Sequence, residues 1–405
     1  MTIAPTIRLL DRTTPPHILT LVLMAGIGAM SMNIFLPSLP AMAEHFGTDY
    51  AVMQLSVSLY LATTAALHVI VGPLSDRYGR RPVMAAGLGI FLVATVGCLL
   101  APNVTVFLVC RMLQAAVAVG IVLSRAIVRD MVPQNEAASM IGYVTMGMAL
   151  VPMIAPTIGG GLDQLFGWQA VFVFLLAAGL GVSWLVWADQ GETATRSFTS
   201  FAAQIRDYPE LFASPRFWGY ALGAAFASGA FFAFLGGAPY AAAEIYGMTP
   251  FWTGVAFGAP AVGYALGNFL SGRLSVRLGI DRMMLAGAAI VTVGMGTSVL
   301  LALAGLSHPA AFFGFVTTVG LGNGMVLPNA TAGLLSVRPH LAGTASGIGG
   351  AIMIGGGAAL SVLAGLVLEG ADSSLPLQVL MLATTAASLL CTLYVIRRAR
   401  RLARG

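Results

Sequence analysis

The chain contains no lysine, and charge of either sign is scarce. Twenty arginines and fifteen acidic residues make up 9% of its 405 residues, against the roughly 25% that a soluble domain carries. With 58% of residues apolar, that shortage excludes a water-soluble globule of this size, and the solvent around most of the chain is lipid. Histidine is thin as well. His17, His45, His68, His308 and His340 are scattered one to a segment, so no metal cluster and no nucleophile–base pair is expected, and an enzyme is excluded. The three cysteines, Cys98, Cys110 and Cys391, sit in apolar segments without ligand spacing and read as small core residues. No soluble face gathers the arginines, which excludes nucleic acid as a partner.

What remains is hydrophobic runs divided by glycine, proline and charge. About twenty apolar residues cross one hydrocarbon core, and on that measure twelve spans are expected near 17–41, 50–72, 82–101, 104–128, 138–162, 168–188, 216–240, 251–274, 282–305, 309–334, 342–368 and 375–397. The first run is long and has no small-residue cleavage site after a short apolar core, so it is expected to be a retained span. The widest polar gap, with Asp189, Glu192, Arg196, Arg206, Asp207 and Glu210, separates spans six and seven. The expected organisation is therefore an N-terminal six-helix bundle (1–188), a cytoplasmic linker (189–215) and a C-terminal six-helix bundle (216–405).

The arginines orient this array. With the N-terminus in the cytoplasm, Arg8 and Arg12, the Arg77–Arg81 loop, Arg125 and Arg129, the linker, Arg273, Arg277, Arg282, Arg338 and the C-terminal tail all fall on one side. The opposite loops carry Glu44, Asp49, Asp163, Glu244, Glu369 and Asp372. This bias places both termini in the cytoplasm. A repeat runs underneath it at an offset of 200 residues. Gly72, Leu74, Ser75, Arg77 and Gly79 recur as Gly272, Leu274, Ser275, Arg277 and Gly279, and Glu44 and Gly47 as Glu244 and Gly247. Parallel six-span repeats imply two bundles with a site between them near the midplane.

The string from Gly72 to Pro82 (Gly-Pro-Leu-Ser-Asp-Arg-Tyr-Gly-Arg-Arg-Pro) is the most specific in the chain. Gly72 and Pro73 are expected to turn the backbone tightly. Asp76 beside Arg77, Arg80 and Arg81 can form a latch that holds in one state and breaks in another; the alternative is a plain positive loop. Arg111 is the single arginine buried in a span. Such a charge is costly and is by default functional, although it can also tie helix backbones together. Asn33, Tyr60 and Gln114 fall at similar depth, and Gln114 stands one turn from Arg111. In span five, Pro152 and Pro156 followed by Gly159 and Gly160 provide either a pivot or a helix-packing surface. Met30, Met146, Met148, Phe231, Phe232 and Phe234 either line a pliable cavity or face lipid and core.

The Gly72–Pro82 string resembles the signature loop of the major facilitator superfamily. Other segments are similar to its Bcr/CflA drug-efflux branch: Asn33-Ile-Phe-Leu-Pro-Ser-Leu-Pro40, Gln54-Leu-Ser-Val-Ser-Leu-Tyr60, and Arg125-Ala-Ile-Val-Arg-Asp130. Val151 to Gly160 looks like that superfamily's antiporter motif, and Arg111-x-x-Gln114 matches an element of span four. The resemblance covers nearly the whole chain. It implies an all-α membrane protein of the major facilitator fold, with two six-helix bundles in a pseudo-twofold repeat. It also implies a monomeric exporter of small amphipathic compounds in the bacterial inner membrane, driven by a proton gradient and without a cofactor or metal. The substrate and coupling residues implied are Arg111, Asn33, Tyr60, Gln114, Met30, Met146 and Phe232. The cytoplasmic gate is Gly72, Asp76, Arg77, Gly79, Arg80, Arg81 and Arg129. One departure matters: the family commonly has Asp where this chain has Asn33. Asn cannot ionise, so either His68, Asp163 or Asp76 carries the proton, or Arg111 is left open to an acidic substrate. The second outcome would make the chain a facilitator or importer of an organic anion.

Overall fold

The computed structural model describes residues 8–131, 140, 144, 151, 154–193, 208–338 and 342–402, and among these every regular element is helical. Span one is α1 (Ile18–Asn33), a 3-10 turn (Leu36–Ser38) and α2 (Leu39–His45). Pro37 and Pro40 take first-turn positions in the last two, where a missing N–H breaks no helical bond. Spans two and three are α3 (Tyr50–Tyr78) and α4 (Arg80–Leu99). Span four is α5 (Val104–Gln114), a 3-10 turn (Ala115–Ala118) and α6 (Val119–Met131). Residues 154–166 form α7, followed by α8 (Gln169–Asp189).

The second half begins with the short α9 (Tyr208–Phe212) and continues with α10 (Pro215–Tyr240), α11 (Pro250–Ala256), α12 (Gly258–Leu278) and α13 (Ile280–Leu303). It closes with α14 (Pro309–Val337), α15 (Ala342–Leu368) and α16 (Leu375–Leu402). Among the described residues ten helices are long and apolar enough to cross a membrane. Two of the twelve expected spans are not among them. Span five lies largely outside the described residues, and span eight is divided between α11 and α12.

The repeat is visible in the backbone. Gly79 (φ 101°, ψ 154°) and Gly279 (φ 81°, ψ 156°) end α3 and α12 in the same way. Each donates its N–H to the serine carbonyl four residues earlier, Ser75 or Ser275, at 2.9 Å. Gly47 and Gly247 share φ near +60° (59° and 61°). L side chains rarely adopt these angles, so the turns explain why these four glycines recur. The chain does not turn at Gly72 and Pro73: α3 runs through Pro73 to Tyr78, and the turn falls at Gly79. The Ser75 hydroxyl donates to the Gly72 carbonyl at 2.7 Å, and the positive φ that reverses the chain is reached six residues later than expected.

With lipid outside, helix packing gains little from hydrophobicity and depends on close backbone approach. The α12–α14 pair is the clearest case. Gly263 and Gly267 face the carbonyls of Thr317 and Leu321, while Gly320 and Gly324 face those of Pro260 and Tyr264. Gly320→Val would drive its side chain into the Pro260 carbonyl and should cost about 1–3 kcal/mol. Gly314→Val, at an exposed position with open space around it, should leave the apparent melting temperature in detergent within about a degree of the parent.

Candidate functional site

Arg111 and Gln114 are three residues apart on α5 and share a face just before the helix tightens into its 3-10 turn. The Arg111 side chain is fully buried. One terminal nitrogen donates to Gln114 Oε1 and the other to the Ser31 carbonyl at 3.4 Å, while Nε has no acceptor. The guanidinium carbon lies 4.2 Å from the Phe35 ring centroid and 4.5 Å from that of Tyr60, so the cation is held between two aromatic faces. Desolvated contacts of this kind are worth about 2 kcal/mol each. Gln114 donates onward to Thr95 Oγ1 at 2.7 Å, and Thr95 donates to the Phe91 carbonyl at 2.7 Å. The Tyr60 hydroxyl donates to the Gly28 carbonyl at 3.4 Å. Span one together with α3, α4 and α5 thus meet around one positive charge. Among the described residues no carboxylate pairs with it.

Of the expected site residues, the structure brings Arg111, Tyr60 and Gln114 together. Asn33 is buried nearby on α1, but its amide donates to the Ala29 carbonyl of its own helix at 2.7 Å. Met30 is half-buried against the same core. Phe232 belongs to α10 in the other half, where its ring covers Gly357 of α15. Met146 and Pro152 lie outside the described residues. Phe35, Ser31 and Thr95 were missed by sequence reasoning. Phe35 falls in the break between α1 and the following 3-10 turn, so helical spacing cannot place its ring. The alternative proton sites also have positions. His68 Nε2 is buried without a partner, as is Asp163 Oδ2.

At the arginine-rich end the latch residues separate into two kinds. Arg80 pairs with Asp76 at 2.6 Å and, through Nε, with Asp130 at 3.0 Å. Its backbone N–H donates to Glu192 at 2.8 Å, and that of Arg81 donates to the same carboxylate at 3.2 Å. An anion at the first turn of α4 satisfies orphan N–H groups and the helix dipole together. A side chain at Gly79 would meet Glu192, so this turn needs glycine twice over. Among the described residues Arg77 reaches only the ring of the adjacent Tyr78, at 5.3 Å. Arg129 lies on α6, and Gly72 sits within α3 with open space beside it. Asp130 and Glu192 are the partners that sequence reasoning did not assign to the latch.

The span-five glycines mark tight crossings at the opposite end. Gly159 abuts the Ile34 carbonyl and Gly160 the Pro250 carbonyl, while Gly254 abuts the carbonyl of Pro156. Thr157 Oγ1 donates to the Gly254 carbonyl at 3.2 Å. Nearby, a cavity of about 530 Å³ is lined by Glu44, Asp49 and Tyr50 of the first half and by Tyr240 and Glu244 of the second.

The family model Major Facilitator Superfamily matches residues 21–362. The chain belongs to the major facilitator superfamily. It is 30% identical over 355 residues to the MFS-type transporter YdgK of Bacillus subtilis, covering 85% of this chain and 87% of the relative. It is 29% identical to Multidrug resistance protein D of Escherichia coli, covering 88% and 90%, and 29% identical to a Chloramphenicol resistance protein of Pseudomonas aeruginosa, covering 80% and 77%. Among solved structures, the inward-facing, unoccupied bacterial homolog of the human lysosomal transporter Spinster superposes with a TM-score of 0.72. It covers 95% of this chain and 96% of that one at 18% identity, a likeness of fold. These relatives agree with the Bcr/CflA-type resemblance in the sequence. As a major facilitator protein the chain is a multi-pass membrane transporter of small molecules and not an enzyme.

The two kinds of latch arginine lead to opposite expectations. Arg80→Ala would leave Asp76 and Asp130 facing each other without their cation. It should destabilise the detergent-solubilised protein by about 1–2 kcal/mol, because charge-assisted hydrogen bonds of a buried arginine are lost while its two carboxylate partners stay partly exposed to water. Arg77→Ala should change stability by no more than about 0.5 kcal/mol. Paired thermal melts check both.

Proposed function

We propose that this chain is a secondary active exporter of small amphipathic compounds in the bacterial inner membrane, working by alternating access with protons moving inward. The observation that carries the reading is similarity to relatives named for multidrug and chloramphenicol resistance, over 77% to 90% of their lengths. In this reading residues 1–188 and 216–405 are two six-helix bundles joined by the linker 189–215, and the protein acts as a monomer. The arginine-rich end and both termini face the cytoplasm, in keeping with the positive-inside rule. The Asp76–Arg80–Asp130 cluster latches that side, and the crossing of α7 with α11 serves as pivot and seal.

Arg111, with Tyr60 and Gln114, forms the polar pole of the first bundle. Asn33 cannot exchange a proton, so coupling rests on another acid. Asp189 is buried but filled, accepting from Leu10 N, His17 N and Thr20 Oγ1 at 2.6–2.8 Å. Asp163 is buried with one oxygen unpartnered, which leaves it room to bind and release a proton. One observation favours a second reading. Arg111 has no carboxylate partner among the described residues, so an organic anion could supply the missing charge.

Everted vesicles separate the two. With a respiration-driven proton gradient, adding a chloramphenicol-like compound should partly dissipate the gradient in vesicles carrying this chain and leave control vesicles unchanged. Asp163→Asn should abolish that response. Exchange of organic acids in counterflow, with no response to amphipathic compounds, would overturn the export reading in favour of anion transport.

A further inference from the structure

We propose that Gln54 is the bolt that holds the two halves together at the acidic end, and that it must be withdrawn each time the halves part. Gln54 lies in the second turn of α3, in the first half, yet its side chain is 1% exposed and is buried in the second half. Its Nε2 donates to both the carbonyl oxygen and the hydroxyl of Ser361 on α15, each at 2.6 Å. The receiving surface has the shape of a socket. A side chain at Gly236 of α10 would come within 2.8 Å of Gln54 Nε2 and 2.6 Å of Ser361 Oγ. One at Gly365 of α15 would lie 3.1 Å from Gln54 Oε1. Two glycines on two helices thus clear the space that one amide fills.

Tyr50, one turn earlier on α3, adds to the same attachment. Its hydroxyl donates to the Gly236 carbonyl at 2.9 Å, and its ring lies 5.0 Å from that of Tyr240. Among the described residues Gln54 is the amide that both crosses between the halves and is buried there. The chemistry suits a reversible closure. A neutral amide and a serine exchange their mutual hydrogen bonds for water at low net cost when the gap opens. Closing also removes the apolar faces of Tyr50 and Tyr240 from water, which favours the shut state.

The bolt rests on the transporter reading, since it matters only if the halves part, but its test does not need a transported compound. Spin labels at Ala41→Cys and Ser373→Cys, both exposed at the acidic end and one on each half, report the gap. Native Cys98, Cys110 and Cys391 are replaced by alanine, and the protein is held in lipid nanodiscs. The parent should give one short distance by double electron–electron resonance. Gln54→Ala should raise the population at longer distance about tenfold. Gly236→Ala, which leaves Gln54 in place and fills its socket, should shift it the same way. Both variants melting like the parent while keeping the parent's distance distribution would overturn the bolt. An opened Gln54→Ala together with a parent that dissipates no proton gradient with any compound would leave the bolt standing and count against export.

Discussion

A guanidinium in a lipid-dissolved protein persists only where its neighbours replace the water it has lost. Arg111 meets that condition without a counter-ion among the described residues, through two aromatic faces, a glutamine oxygen and a backbone carbonyl. Those partners come from α1, the break after it, α3 and α5, and the glutamine is fixed in turn by Thr95 of α4. Four of the first half's spans are therefore referenced to one charge. Any movement of span one or α3 against α5 changes how well that charge is solvated. This sensitivity is what a transporter needs, because ligand or proton binding acts only through a difference in free energy between two states.

The two ends of the molecule use different chemistry for different tasks. At the arginine-rich end, charge is concentrated on Arg80, which is held by two carboxylates through its side chain and by Glu192 through its backbone. At the acidic end, the described inter-half contacts are neutral: an amide in a glycine socket, a tyrosine hydroxyl on a carbonyl, and backbones in near contact at Gly160 and Gly254. The linker begins inside the first of these regions. Asp189 gathers the N-terminal segment and Glu192 caps α4, while Thr193 reaches Asp130 at 3.3 Å. The start of the connection between the halves is thereby fastened to the Asp76–Arg80–Asp130 cluster.

Much of this was legible in the sequence because lipid imposes simple rules. Ten of the span positions followed from hydropathy, and the repeat from Gly79 and Gly279, whose positive φ admits few other residues. Arg111 stood out because an intramembrane charge is rare. The rest depended on tertiary context. Pro73 read as a turn and lies inside a helix. Nothing in Ala115–Ala118 announces that span four tightens there. Phe35 became a partner of Arg111 through a break whose geometry local propensity does not set. Glu192 meets Arg80 across 112 positions and Gln54 meets Ser361 across 307, separations that no local pattern encodes. Asn33 was the most informative departure, since its amide is satisfied within its own helix and leaves the charge of Arg111 to its other neighbours.

If Arg111 serves transport and not folding, Arg111→Met separates the two roles. Methionine fills a similar volume between Phe35 and Tyr60 and removes the cost of burying a charge, a replacement that is often neutral or stabilising. The variant should melt at or above the parent temperature in detergent and lose transport by at least about tenfold. A variant that transports like the parent, or one that unfolds well below it, would show that Arg111 is not kept for transport.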